Sequence, residues 1–205
     1  MGAAPESISR NLLGAVPYLD PMETTERRLL GLAKFAQSCL REYMDCHDTA
    51  NCFWHRRSHF RGLCGIASVF LAGLVEAATG ERAEVVYGEF GDDRQTRDHF
   101  WVRVPSTGAV LDITLDQFRE LGVGRVPSIL AAADHRALRF YRPRRTVERK
   151  ASQFCFFDSE RHPFGVVSKT RKNHQKSLVE KALARPNCRR VLGSRGVFAL
   201  ASSVL

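Results

Sequence analysis

The chain of 205 residues contains no run of about 18 consecutive apolar residues, which excludes the usual pattern of a membrane-spanning helix. The segment from Met1 to Ser7 lacks the cationic and apolar regions of a secretory signal, so we expect a cytoplasmic protein. Export as an effector by a route without such a signal stays open. The chain also lacks internal repeats and low-complexity tracts, and its hydrophobic content of 44% predicts a globular protein with a substantial core.

The cysteines lack the regular spacing of a disulfide framework. Without a secretory signal, we expect all six to be reduced thiols: Cys39, Cys46, Cys52, Cys64, Cys155 and Cys188. The segment 46–59 holds candidate zinc ligands, but their spacing fits none of the common zinc fingers: Cys46, Cys52, His55 and His59. We therefore expect no metal and no other cofactor, and interpret this segment as a polar loop leading to Cys64.

The net charge of +9 is distributed unevenly along the chain. Residues 1–135 carry a net charge of −4, whereas residues 136–205 carry +13. No recognised nucleic-acid motif accompanies these basic residues, and few aromatic side chains lie among them. The basic part is therefore predicted to dock an acidic protein partner, and nucleic acid is the less favoured partner.

A nucleophile is indicated by the stretch Arg61–Ser68, where the chain passes from a polar loop into an apolar segment. From Gly65 to Ala78 the residues are small or apolar apart from Glu76, and Gly80 follows, so the pattern predicts a buried helix. Cys64 would lie in its first turn, where unpaired backbone N–H groups and the helix dipole favour a thiolate. A structural cysteine at the start of a core helix is the alternative.

A β-hairpin is predicted over residues 98–114, with its turn at 105–108. One face is apolar and is expected in the core: Phe100, Val102, Val104, Ala109, Leu111 and Ile113. The other face carries His99 and Asp112, and an even loop length makes them direct or diagonal neighbours with Cβ atoms about 4.5–8 Å apart. Such a carboxylate would hold the imidazole in one tautomer while the other ring nitrogen faces a thiol.

Three short motifs in this order resemble the core of the transglutaminase-like and papain-like cysteine enzymes. The matching segments lie within about residues 60–118: Gly62-Leu63-Cys64-Gly65, His99-Phe100-Trp101-Val102 and Leu111-Asp112-Ile113-Thr114. The resemblance implies an α+β fold, in which a helical N-terminal part with Cys64 at a helix N-terminus packs on an antiparallel sheet. The glutamine that usually precedes the nucleophile and completes the oxyanion hole is absent, and the candidates for this role are Asn51, Trp54, Ser58 and His59.

The resemblance also implies acyl transfer from an amide of a protein or peptide through a Cys64-His99-Asp112 triad. A thiol protease, a glutamine deamidase and a transglutaminase all fit, and the sequence does not choose among them. The alternative is an inactive member of the fold that binds nucleic acid or an acidic partner through its basic C-terminal part. We divide the chain into a catalytic domain over residues 1–165 and a basic C-terminal extension over residues 166–205, with no membrane contact.

Other periodicities predict two further helices and three further strands, over residues 21–44 and 169–184 and over residues 83–90, 138–142 and 151–157. Gln117 could donate a hydrogen bond to an oxyanion. We favour a different role, because Thr114 followed by Gln117 fits a capping box for a short helix through Leu121.

Overall fold

The fold is α+β, as the sequence predicts. A computed structural model describes residues 21–46, 60, 63–122, 126–147 and 168–202. Within these residues there are four α-helices: α1 (Pro21–Cys46), α2 (Cys64–Thr79), α3 (Ser168–Ala184) and α4 (Cys188–Ser202). Five strands form one sheet: β1 (Glu84–Gly91), β2 (Thr96–Val104), β3 (Ala109–Asp112), β4 (Leu130–Ala132) and β5 (Tyr141–Val147). Two 3₁₀ helices, Leu115–Leu121 and Arg136–Phe140, connect the later strands.

The sheet has the strand order β4-β3-β2-β1-β5, and every neighbouring pair is antiparallel. The predicted hairpin corresponds to β2 and β3, with Val102 opposite Leu111 and Val104 opposite Ala109. Gly108 adopts the left-handed conformation (φ 71°) that closes the four-residue turn. The hairpin therefore lies in the middle of the sheet, and its register is the predicted one.

The predicted buried helix is confirmed as α2. Ten of its sixteen residues are buried, because small and aliphatic side chains surround it on all sides. It ends where Gly80 takes a left-handed conformation (φ 74°) and donates its backbone N–H to the Glu76 carbonyl at 2.9 Å. The sequence thus determines both ends of this helix closely.

The main hydrophobic core lies between the helices and one face of the sheet. That face contributes five of the predicted core residues, with Phe100 partly buried beside them: Val102, Val104, Ala109, Leu111 and Ile113. Helix α1 adds an apolar stripe at helical spacing, including Leu29, Leu32, Ala36, Leu40 and Tyr43. The predicted division of the hairpin into a core face and a second face is confirmed.

The second face of the sheet is covered by a smaller hydrophobic cluster. Its buried members are Phe90, Leu115, Phe118 and Leu130. The two 3₁₀ helices bring further apolar side chains to this cluster, among them Leu121 and Phe140. His99 and Asp112, the polar residues next to this cluster, are consequently buried, whereas Arg103 near the end of β2 stays exposed.

Helices α3 and α4 contribute to the main core. Their buried residues pack with α1 and α2: Leu178, Val179, Ala182, Cys188, Leu192 and Leu200. Arg185, which follows α3, donates to the Ser38 carbonyl at 2.9 Å and pairs with Glu42 at 2.6 Å. The boundary between residues 165 and 166 stays a prediction, but both helices after it are packed against the rest of the fold.

The strand predicted over residues 138–142 is displaced towards the C-terminus. Residues up to Phe140 form the second 3₁₀ helix, because the His135 ring accepts the Ala137 N–H and the Tyr141 N–H bonds back to Leu138. Extended structure begins only at Tyr141. Strand β4 was not predicted, and the strand predicted over residues 151–157 lies outside the described residues.

Candidate active site

Cys64 is the first residue of α2, as predicted. The chain enters the helix through Phe60, a buried non-glycine residue in the left-handed region (φ 74°) whose carbonyl accepts the Leu63 N–H at 3.0 Å. Leu63 occupies the N-cap position and has no side-chain acceptor to offer the first turn. Among the described residues no partner is found for the Cys64 backbone N–H, so it is a donor suited to a negatively charged oxygen.

The start of α2 lies directly against strand β2. A side chain at Gly65 would come within 3.7 Å of the Phe100 ring. Phe100 is the neighbour of His99 in β2 and projects from the opposite face, so this contact joins the helix to the strand that carries the histidine. The helix and the strand that carry the proposed nucleophile and base are therefore packed together by the main core.

His99 and Asp112 form a buried pair across the hairpin. Val102 lies opposite Leu111, so extending this register by one residue brings Trp101 opposite Asp112 and makes His99 the diagonal neighbour of the carboxylate. The distance between His99 Nε2 and Asp112 Oδ2 is 2.5 Å, and both side chains are almost completely buried. The predicted neighbour relationship is confirmed, and the imidazole is long enough to span the diagonal spacing.

The Asp112 carboxylate is held by four hydrogen bonds. Oδ1 accepts the Thr114 N–H at 2.9 Å and the Thr114 hydroxyl at 3.0 Å. Oδ2 accepts the Tyr141 hydroxyl at 2.9 Å besides its contact with His99. Burial raises the pKa of Asp112, but the charge and hydrogen bond of His99 and the Thr114 and Tyr141 donors together hold it below its usual value. Asp112 is therefore an ionised carboxylate of fixed orientation.

The capping box predicted for Thr114 and Gln117 is wrong. A short helix does run to Leu121, but Thr114 makes no side-chain capping bond to it. The Thr114 hydroxyl has one proton, and it donates that proton to the charged Asp112 oxygen two residues earlier. The Thr114 side chain therefore stabilises the Asp112 carboxylate and does not cap the short helix.

The environment of His99 favours its protonated form. Complete burial alone would lower its pKa, but the charge and hydrogen bond of Asp112, with a smaller contribution from Cys64, raise it to about 9. Because an ionised carboxylate only accepts hydrogen bonds, Nε2 donates to Asp112. Nδ1 is buried and has no hydrogen bond of ordinary geometry to any described residue, although the Cys64 side chain is near enough to favour the protonated ring.

Aromatic rings enclose the imidazole. Phe118 meets it edge-on at a centroid distance of 4.6 Å, and Phe90 and Trp101 follow at 5.9 and 6.0 Å. These rings exclude water and leave few positions for the His99 ring. An environment of this kind makes the Asp112–His99 interaction stronger than it would be in solvent.

Tyr141 is the site residue that sequence reasoning missed. It was predicted only as part of a strand, and it lies 29 residues beyond the carboxylate to which it donates. No local motif marks it, because its position depends on β5 pairing with β1 on the far side of the hairpin. The one signal in the sequence that could have pointed to this role is the presence of a tyrosine in a predicted strand of the same sheet.

The second oxyanion donor stays a prediction. The four candidates Asn51, Trp54, Ser58 and His59 lie outside the described residues. Gln117 Nε2 is buried and has no hydrogen-bond partner among the described residues.

The expected absence of a metal is likewise still a prediction. Cys52, His55 and His59 lie outside the described residues, and so does the Cys46 side chain, although α1 ends at Cys46. Within the part of the chain that the structure describes, no group of three or more potential ligands could hold an ion.

Comparison with known proteins gives no family model, no curated protein and no solved structure that matches the chain. None of the helices in the described ranges combines the length and apolar composition needed to cross a membrane.

Proposed function

We propose that the protein is a cysteine-dependent acyl-transfer enzyme that acts on an amide of a protein or peptide. Its fold would then be a transglutaminase-like or papain-like one, with the nucleophile on α2 and the other two triad members on β2 and β3. The observation that carries the proposal is the buried His99–Asp112 pair, whose second ring nitrogen, Nδ1, is not bonded to Asp112 and lies beside the Cys64 thiol. Cys64, His99 and Asp112 are the residues to which we assign the chemistry.

The reaction begins from a thiolate–imidazolium pair, in which Nδ1 of His99 holds the proton of the Cys64 thiol. The resulting thiolate attacks the carbonyl carbon of the amide, and the developing oxyanion accepts a hydrogen bond from the Cys64 backbone N–H. When the C–N bond breaks, the His99 imidazolium gives its proton to the leaving amine, and a thioester on Cys64 remains. Water or a second amine then attacks the thioester with His99 as the base, and the thiol is regenerated.

Asp112 acts on His99 throughout this cycle. Its two bonds to Thr114 fix one oxygen, so that the other oxygen holds Nε2 and directs Nδ1 towards the thiol. The charge of the carboxylate also favours the imidazolium that forms when the thiol loses its proton. Both contributions require that Asp112 stay ionised, and its lowered pKa is consistent with this.

The substrate decides which enzyme class results, and one experiment separates the classes. Purified protein is incubated with a cell lysate, and the products are compared by mass spectrometry with those of the folded Cys64→Ala variant. New peptide termini indicate a protease, Gln-to-Glu conversion a deamidase, and Gln–Lys crosslinks a transglutaminase. If the wild type and Cys64→Ala give the same products, the proposed function is wrong.

A binding protein with an inactive triad is the second candidate, and its motivation is the basic C-terminal part. Several of those cations are already engaged: Arg142 pairs with Asp93, Arg144 with Glu89, and Arg185 with Glu42. Exposed arginines of α4 make no ion pair with described residues, namely Arg189, Arg190 and Arg195. Nucleic-acid binding that falls steeply with salt, together with a Cys64→Ala variant that behaves like wild type, would favour this candidate.

A further inference from the structure

The Tyr141 hydroxyl shares one oxygen of Asp112 with His99. Both groups bond to Oδ2. The distance from Oδ2 is 2.9 Å to the Tyr141 hydroxyl oxygen and 2.5 Å to His99 Nε2. Thr114 occupies the other oxygen, Oδ1. The two oxygens of the carboxylate therefore have different partners. Oδ1 bonds to the turn that follows Asp112, and Oδ2 bonds both to His99 and to Tyr141 of another strand.

The Tyr141 ring is held between two other aromatic rings. Phe90 meets it edge-on at 4.9 Å with an interplanar angle of 75°, and Trp101 at 5.0 Å with an angle of 68°. Two edge contacts leave the phenol ring little freedom, so the direction of its hydroxyl is set before any substrate binds. This arrangement resembles a built support for the carboxylate more than a chance surface contact.

Glycine at position 88 permits this close approach. Gly88 lies opposite His99 in β1, where the pairing between β1 and β5 is irregular. A Cβ there would lie 2.2 Å from the Arg142 carbonyl oxygen and 2.7 Å from the Trp101 ring. Any larger residue would push β5 or Trp101 away, and Tyr141 is the residue immediately before Arg142.

We propose that Tyr141 is a positioning residue of the triad, which fixes the Asp112 oxygen facing His99 and takes up part of its negative charge. The inference rests on the proposed function, because it concerns the proton that His99 must give to the leaving amine. Since the hydroxyl draws charge away from Oδ2, Asp112 holds the imidazolium less tightly and the proton is released more readily. Without the hydroxyl, His99 would be a weaker general acid.

The hydroxyl stays a donor over the whole working range of pH. Burial, followed by the charge of Asp112 and the hydrogen bond to it, raises the pKa of Tyr141 well above its ordinary value. Among the described residues, the titratable groups acting on His99 are Asp112 and Cys64, and those acting on Asp112 are His99 and Tyr141. No other described charge needs to be invoked for this network.

The test is the Tyr141→Phe variant, which keeps the ring and removes the hydroxyl. In NMR spectra of histidine-labelled protein, with the His99 signal assigned through His99→Gln, the His99 titration should move to higher pH by about 0.5 unit or more. With a substrate found in the lysate experiment, kcat should fall about tenfold while KM changes little, the size expected for one lost hydrogen bond to a charged group.

Tyr87→Phe is the matched control. Tyr87 lies in β1 opposite Phe100, with their ring centroids 4.9 Å apart, and therefore on the other face of the sheet from His99. Loss of this hydroxyl should leave the His99 titration unchanged. A second measurement avoids any folding defect: 3-fluorotyrosine incorporation makes the phenol a stronger donor and should move the His99 titration to lower pH, but not in the Tyr141→Phe background.

The inference is overturned if Tyr141→Phe titrates like the wild type, or if Tyr87→Phe causes the same shift. These readouts need no substrate, so they are independent of the lysate experiment. A His99 shift without any Cys64-dependent product would contradict the proposed function and the role in proton delivery, while the effect of Tyr141 on His99 would stand.

Discussion

The two faces of the central sheet are formed by alternate residues of the same strands, yet they bury opposite kinds of side chain. The face towards the helices buries aliphatic residues such as Val102 and Leu111 in the main core. The other face buries an ion pair, His99 and Asp112, among aromatic rings. Leu111 and Asp112 are neighbours in β3 and are exposed by 0% and 2%, so burial does not distinguish them.

The difference lies in what each face contributes. Aliphatic burial on the helical face stabilises the fold through removal of apolar surface from water. A buried ion pair adds little net stability, because the cost of removing both charges from water offsets their attraction. Both Asp112 oxygens are nevertheless satisfied, whereas Nδ1 of His99 has no hydrogen bond to a described residue, as the proposed chemistry requires. The predictions below test that division of roles.

The largest effect is expected from the triad itself. Cys64→Ala and His99→Ala should reduce product formation to background, because each removes a group that bonds to or exchanges a proton with the substrate. Asp112→Asn should reduce kcat about a thousandfold or more and change its pH profile, since an amide cannot hold His99 in its protonated form. Product formation is measured alongside circular dichroism to verify folding. Full activity of Asp112→Asn at all pH values would make Asp112 structural.

A substitution on the sheet face that packs against the helices should lower stability and leave catalysis unchanged. Leu111→Ala removes buried aliphatic atoms from the main core and should lower the free energy of unfolding by about 2–5 kcal/mol. Urea denaturation measures this loss, and Val110→Ala, a half-buried neighbour in β3, should cost less. The folded fraction of Leu111→Ala should keep the kcat of the wild type. A loss of kcat as large as that of Asp112→Asn would show that the two faces do not have separate roles.

The pH dependence of stability should report the ion pair. The pKa of His99 is raised to about 9 in the folded protein, so its contribution is fully present below the unfolded value of 6.5 and is lost as the pH rises through 9. The pKa of Asp112 is lowered, so its contribution is lost only as the pH falls through that lowered value. Between pH 6.5 and 9, the Tm of the wild type should therefore fall more than that of His99→Gln. Parallel curves would contradict the coupling.

The sequence predicts the hairpin and the shared face of His99 and Asp112, because alternation and an even turn determine strand register locally. It does not predict that this second face is buried. That depends on Phe118 and Leu130, which reach the face through a 3₁₀ helix and the short strand β4. Tyr141 could not be predicted for the same reason, since its contact with Asp112 arises from the pairing of β5 with β1.

Helix prediction succeeded where the hydrophobic pattern was strong. It failed where a nearby carboxylate accepted the hydrogen bond that was predicted for a helix cap. The end of α2 follows from Gly80, whose left-handed conformation is readily predicted. The sequence does not show that Thr114 fails to cap the next helix, because its hydroxyl bonds to the Asp112 carboxylate and only the tertiary structure reveals where that carboxylate lies. Residue types and spacing therefore predict that His99 and Asp112 are neighbours, and long-range packing supplies the groups that support them.

Competitive labelling with iodoacetamide at neutral pH tests the central claim, that Cys64 is a nucleophile coupled to His99. Burial raises the pKa of Cys39 to about 11 and also raises that of Cys188, so neither should react readily. Cys64 is 8% exposed, against 0% and 3% for those two, and it alone of the three lies beside an imidazole. We predict that peptide mapping finds Cys64 alkylated first, and that His99→Ala slows this reaction. Earlier modification of Cys39 or Cys188, or an unchanged rate in His99→Ala, would contradict the account.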